Sequence, residues 1–243
     1  MRKTRLAASA VALLPALLLA AACSSNSADA DGHSKGTAPA SAAARAPLTK
    51  AQLTSALVTT TDVPGYTVQV SQTDATDSTD DSTLTADEPA CQPLADITSS
   101  KPKIHRMAFV GAAFAKTPVG QATPAQIDQM LVASHAPGDA QKVIDSVKTA
   151  LGSCTSFNAI DNTGTKTPFA ITKAAGVATG DASASYVMTD TADKKTGAAL
   201  VTVVKSGDTI TAYLSVKSAG GAGQLPLAVA VKQNDKLKAA QAK

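Results

Sequence analysis

The alternation of apolar and polar residues divides the chain into three stretches. Leu6 to Leu19 are almost continuously apolar, residues 24–46 carry hardly any large apolar side chain, and from Leu48 onward apolar positions recur at helix and strand spacings. Thr49 and Gln52 have capping-box spacing, with Leu48 and Leu53 at the hydrophobic-staple positions, which predicts a helix over 50–58. Pro64-Gly65 signals a turn, and the alternation of Tyr66, Val68 and Val70 a strand. Residues 71–88 are mostly Ser, Thr and Asp and read as an exposed loop. Pro89 and Pro93 bracket Cys91 and leave room for only a short helix near 94–97. A strand is expected over 104–115, with Met107, Phe109, Gly111 and Ala113 on one face. Segment 127–135 fits a helix begun by Pro124 or a strand ended by Pro137-Gly138, and the strand reading is preferred. Asp139 suits an N-cap. Ala140, Val143, Ile144, Val147 and Leu151 then form one apolar stripe, with Gly152 at C′. Strands follow around Phe169–Ile171 and Ala184–Met188. A hairpin, 198–204 with 209–216, turns at Ser206-Gly207-Asp208. A last helix starts at Pro226, with Lys232, Lys236 and Lys238 towards its negative end. Successive strands joined by short turns imply an α+β domain with a mainly antiparallel sheet, and the helices are expected on one face of it. No internal repeat is visible.

The first stretch is a signal for export. Arg2, Lys3 and Arg5 precede the apolar run, which is too short for a permanent membrane span. The expected organisation is a signal peptide over 1–22, a lipidated cysteine and disordered tether over 23–46, and one domain over 47–243. The tether lacks the apolar surface needed to offset ordering entropy and reaches roughly 25–30 Å. His33 lies within it. Cys23 follows Leu19-Ala20-Ala21-Ala22, a lipobox-like run in which the leucine stands one place further from the cysteine than usual. It is the expected lipidation site, and it would hold the protein on the outer face of the cell membrane.

Composition narrows the functional classes. The chain of 243 residues has a formal charge of +3, but Arg2, Lys3 and Arg5 account for it, leaving 19 basic against 19 acidic residues. Nucleic-acid binding therefore has no electrostatic support. Aromatic residues are only 3% and Trp is absent, which argues against base-stacking platforms and aromatic cation cages. Beyond Cys23 there are two cysteines, Cys91 and Cys154. An even pair in an oxidising compartment reads as a disulfide.

Several segments resemble actinobacterial lipoproteins related to the PknH-like extracellular sensor domain. They are Leu53-Thr-Ser-Ala-Leu57 leading into Asp62-Val-Pro-Gly-Tyr66, then Ala90-Cys-Gln-Pro-Leu94, the helix running into Leu151-Gly-Ser-Cys154, and the final helix with Gln233 and Lys236. The resemblance implies an antiparallel sheet with flanking helices, fixed by disulfides, and a cleft suspected of binding a ligand. The chain departs from that family in having one cysteine pair rather than two and no attached kinase.

The motifs that resemble catalytic ones have plainer readings. Ser100-Lys-Pro-Lys103, Ser156-Phe-Asn158 and Lys195-Thr-Gly197 follow the order of penicillin-binding enzymes, but Pro102 lies where a helix must carry the lysine back to the serine. G-x-S-x-G is absent, and His105 and His135 have no triad context. Short-spaced His and Cys clusters for zinc are missing. Glu88 is the sole glutamate. Asp74, Asp77, Asp80 and Asp81 lack the glycine turn and terminal glutamate of a calcium loop. Lys101, Lys103, Arg106 and Lys116 read as a solvated strand edge rather than an anion site. Gly220-Gly-Ala-Gly223 reads as an entry loop to the last helix. The expectation is a non-enzymatic envelope lipoprotein with no cofactor, no metal and no nucleic-acid partner, binding a small ligand or envelope protein through residues the sequence does not identify. An envelope-polymer hydrolase or a structural surface protein is the alternative.

Overall fold

The computed structural model describes residues 45–71, 83–193, 195 and 197–243. They belong to a compact unit, Ala43–Lys243. The aspartates at 74, 77, 80 and 81, His33, Cys23 and the signal region lie outside the described residues.

The helices are α1 (Lys50–Ala56), α2 (Gln92–Asp96), α3 (Asp139–Ala150) and α4 (Leu227–Gln241), with a 3-10 turn over Pro89–Cys91 leading into α2. The strands are β1 (Thr67–Val70), β2 (Thr85–Ala86), β3 (Ala108–Ala115), β4 (Gln126–Ser134), β5 (Ser156–Ile160), β6 (Lys166–Ala174), β7 (Ala182–Asp190), β8 (Ala198–Ser206) and β9 (Thr209–Lys217). They form one nine-stranded sheet in the order β1-β3-β4-β9-β8-β7-β6-β5-β2, and every pairing is antiparallel. The fold is α+β, and Cys91 and Cys154 are joined in a disulfide with Cα atoms 5.3 Å apart.

Local chemistry explains the elements. Thr49 Oγ1 accepts from the Gln52 amide, Gln52 Oε1 accepts from the Thr49 amide, and Leu48 and Leu53 are buried, so both cap and staple are built. The N-cap of α3 is Gly138 at φ 84°, not Asp139. Asp139 sits in the first turn instead and accepts from Lys142. Only a residue tolerant of positive φ closes the turn from β4 into this helix.

The helices cover both faces of the sheet rather than one. Consecutive strand residues point to opposite faces, and in β8 Val203 belongs to one core while Val204 belongs to the other. The first core gathers Leu94 and Ile97 around α2, Ile144 and Val147 of α3, and Tyr186 and Val201 of the sheet. The second gathers Leu53 and Leu57 at α1, Val229 and Leu237 of α4, and Phe114, Val132 and Tyr213 beneath them. The central strands are apolar on both sides, so a single helical layer would leave one side wet. Two short strands escape the sequence pattern. The first, β5, buries only Phe157 and Ala159. The second, β2, has two residues and is held by side chains: Gln92 Oε1 accepts from the Ala86 amide and Asp87 Oδ1 from the Asn158 amide.

Candidate functional site

Because α2 and α3 stand over one end of their face of the sheet and α1 and α4 over the other end of the opposite face, part of the first face lies beside α2 without a helix above it. There the sheet register aligns two cross-strand rows. Gly111 faces Leu131, which faces Ala212 and then Val203; Ala113 faces Gln129, which faces Leu214 and then Val201. Glycine and alanines at three of these places make the floor low. The C-terminal end of α2, at Ile97 and Thr98, forms one wall, and Ser71 after β1 borders the other end. The resulting groove has a volume of about 400 Å³, within the range of small-molecule sites. No charged side chain lines it, and the polar side chains on this face are Ser71, Thr98 and Gln129. A Cβ at Gly111 would meet Ser71 Oγ at 3.2 Å, so even a small side chain there presses on the rim.

Past Ile97, Leu131 and Ala212 the groove adjoins a small cavity of about 30 Å³ between α2, α3 and the sheet. That is room for water rather than a ligand. Arg106, Asp96 and His135 border it. Arg106 is not the solvated edge residue its sequence context suggests. Its Nη1 donates to Ser99 O, and its Nη2 to Asp96 O and Ile97 O, carbonyls at and just past the C-terminal end of α2. Burial lowers its pKa to about 10, so the guanidinium stays charged at neutral pH. The cation thus fixes the helix end that walls the groove, and favours its negative pole. His135 is buried, and burial lowers its pKa. Its Nδ1 lies 3.0 Å from His105 O, so Nδ1 carries the proton of the neutral ring. His105 itself is exposed.

The other motifs do not assemble. Ser100 to Lys103 form no helix, and the Lys103 amide donates to Asp96 Oδ2. Ser156 and Asn158 lie on β5, and Lys195 and Gly197 precede β8. The amides of Gly220 and Gly223 donate to Lys217 O and Ser215 O within their own turn. Among the described residues no group of three or more His, Cys, Asp or Glu is placed to hold a metal ion. No described helix is long and apolar enough to cross a membrane. Asp128 escapes the sequence reading. It is 2% exposed, and burial pushes its carboxyl above the usual range. Gln126 Nε2 donates to both its oxygens and to Gln224 O, while Gln126 Oε1 accepts from the Gln224 amide, so this carboxylate anchors the loop before α4.

No family model and no curated protein matches the sequence. Among solved structures, the chain resembles an uncharacterized protein (Rv0999 ortholog) from Mycobacterium smegmatis at TM-score 0.28 and 12% identity, over 79% of this chain and 93% of that one. It is more similar to the extracellular domain of PknH from Mycobacterium tuberculosis, at TM-score 0.51 and 11% identity, over 82% of this chain and 99% of that domain. At that identity the likeness is one of fold: the chain carries the architecture of the PknH extracellular domain.

Proposed function

We propose that the protein is an extracytoplasmic lipoprotein, anchored through an acylated Cys23, whose domain binds a small ligand in the groove beside α2. The groove of about 400 Å³ carries this reading. It is concave, mostly apolar and walled by a helix end that Arg106 holds in place, and such sites are the default binding places of proteins. The export signal and the paired cysteines support an extracytoplasmic setting, as does the fold shared with an extracellular domain. The reading is one of binding, and the Ser100, Ser156 and Lys195 motifs stand on separate parts of the fold.

Native mass spectrometry of the full chain, incubated with lipid and aqueous extracts of a bacterial envelope, tests the reading. A retained adduct that Ala113→Leu diminishes is expected, with the extracted compound unchanged in mass. No adduct from either extract, or one that Ala113→Leu leaves undiminished, would sink it.

A further inference from the structure

We infer that the groove's ligand is a linear aliphatic chain, such as the acyl chain of a fatty acid, lying across the strands with its head group outside. This deepens the ligand-binding reading and rests on it. The first argument is charge. With no charged residue in the lining, an ionic group drawn inside would be desolvated without a partner. The second is hydrogen bonding. The floor is built from β3, β4, β9 and β8, interior strands whose backbone groups are spent on one another. A sugar or peptide would have to bury its many donors and acceptors against Ser71, Thr98 and Gln129 at best, whereas methylenes need no partner. The third is shape. The rows through Gly111 and Ala113 run perpendicular to the strands, over three inter-strand spacings or roughly 14 Å. That is about the length of an extended medium-chain acyl group, and the small residues Gly111 and Ala113 on β3 and Ala212 on β9 keep the floor low on either side of Leu131 and Gln129 of β4. Leu131, Leu214 and Val201 add apolar surface along the floor. The fourth is position: an anchor at Cys23 would place the groove within a tether's reach of a membrane rich in such chains.

The full chain carrying Cys23→Ala, which removes the anchor's own acyl chains, should bind cis-parinaric acid with a rise in its fluorescence. Straight-chain carboxylates should displace the probe with an affinity that grows about fourfold per methylene, levelling off once the trough is filled. Dodecanol should displace it as dodecanoate does, because the head group stays outside. Ala113→Leu on the floor and Thr98→Phe on the exposed rim should each weaken dodecanoate about fifteenfold, the worth of two excluded methylenes, without lowering the melting temperature. Binding that ignores chain length, needs the carboxylate, or is unchanged in both variants overturns the assignment. If parinaric acid fails while an aqueous-extract adduct is diminished in Ala113→Leu, the groove remains a ligand site and only the aliphatic assignment falls. If neither binds, both readings fall.

Discussion

Lys236 Nζ donates to Asp62 Oδ2 across 2.6 Å, joining α4 to the turn after α1. Lys232 approaches the other oxygen at 4.0 Å, and the Thr59 amide and hydroxyl also donate to Oδ2. Both partners of the Asp62–Lys236 pair are less than a quarter exposed, so solvent screens it only in part. These hydrogen bonds, that of Lys236 foremost, hold the Asp62 carboxyl well below its ordinary 3.8. The folded state therefore binds this proton less readily than the unfolded one. Its stabilisation is complete above the ordinary value and lost as pH falls through the depressed one. Asp62→Asn should cost about 1–2 kcal/mol near neutrality. Urea unfolding at several pH values should show the gap to wild type closing in acid. A gap that persists there would mean the charge is not the source.

Asp128 should behave in the opposite sense. Burial raises its carboxyl pKa, so the folded state holds this proton more tightly and the ionised form weighs against folding. Its contribution is least unfavourable in acid and is lost as pH rises through the raised value. Asp128→Asn keeps an oxygen for Gln126 Nε2 and removes the charge. It should raise the melting temperature at neutral pH and leave it little changed in acid. A lower melting temperature at neutral pH would show that the anionic form is needed to hold Gln126 and the loop at Gln224.

The sequence announced what is local and periodic. The capping box at Thr49, the α3 stripe and the hairpin turning at Gly207 all depend on residues within a few positions of one another, and each is built. Side chains that act across the fold were invisible. Gln233, fully buried, takes the Val58 amide on Oε1 and gives Nε2 to Ala56 O, satisfying the end of α1 from more than a hundred residues away. Nothing in its helical context distinguishes it from a solvated glutamine, although it stands in one of the segments that carry the family resemblance. Arg106 is hidden for the same reason: three lysines near it in sequence suggest a wet edge, whereas its partners are carbonyls at and just past the end of α2. The groove was least legible of all. Its low places are the small residues Gly111, Ala113 and Ala212, brought together only by strand register.

The membrane anchor rests on the sequence around Cys23. Replacing Cys23 with Ala removes the thiol that would be acylated but leaves the export signal intact. The variant should appear in the medium, while wild type fractionates with membranes and takes up labelled palmitate. A variant that stays with the membrane, beside a wild type without label, would assign the attachment to something other than acylation.

Arg106→Gln should loosen the wall of the groove. It withdraws the donors that satisfy the carbonyls of Asp96, Ile97 and Ser99. The loss should be about 2–4 kcal/mol for several part-buried acceptors and a buried cation's contacts. Arg106→Lys should recover only part of it, because one ammonium cannot reach three diverging carbonyls as a planar guanidinium does. Amide exchange should accelerate first over 92–99. Unchanged protection there in Arg106→Gln would show that α2 is held by packing alone.

The disulfide should matter to the groove as well as to stability. Cys91 closes the turn that leads into α2, and Cys154 follows α3, whose Ile144 and Val147 are wholly buried. The bond therefore ties a five-residue helix with few apolar anchors to one docked firmly on the sheet. Its sequence separation of 63 corresponds to about 4 kcal/mol of lost unfolded-state entropy in the chain-entropy treatment. The Cys91→Ala, Cys154→Ala double variant should lose a large share of that. Hydrogen exchange should rise first over 85–98, where β2 and α2 lean on the link, and last in β8 and β9. Because Ile97 and Thr98 form the wall beside α2, the variant should also retain less of any groove ligand at temperatures where β8 and β9 remain protected. A variant that melts with wild type and exchanges uniformly would show that α2 docks without the bond.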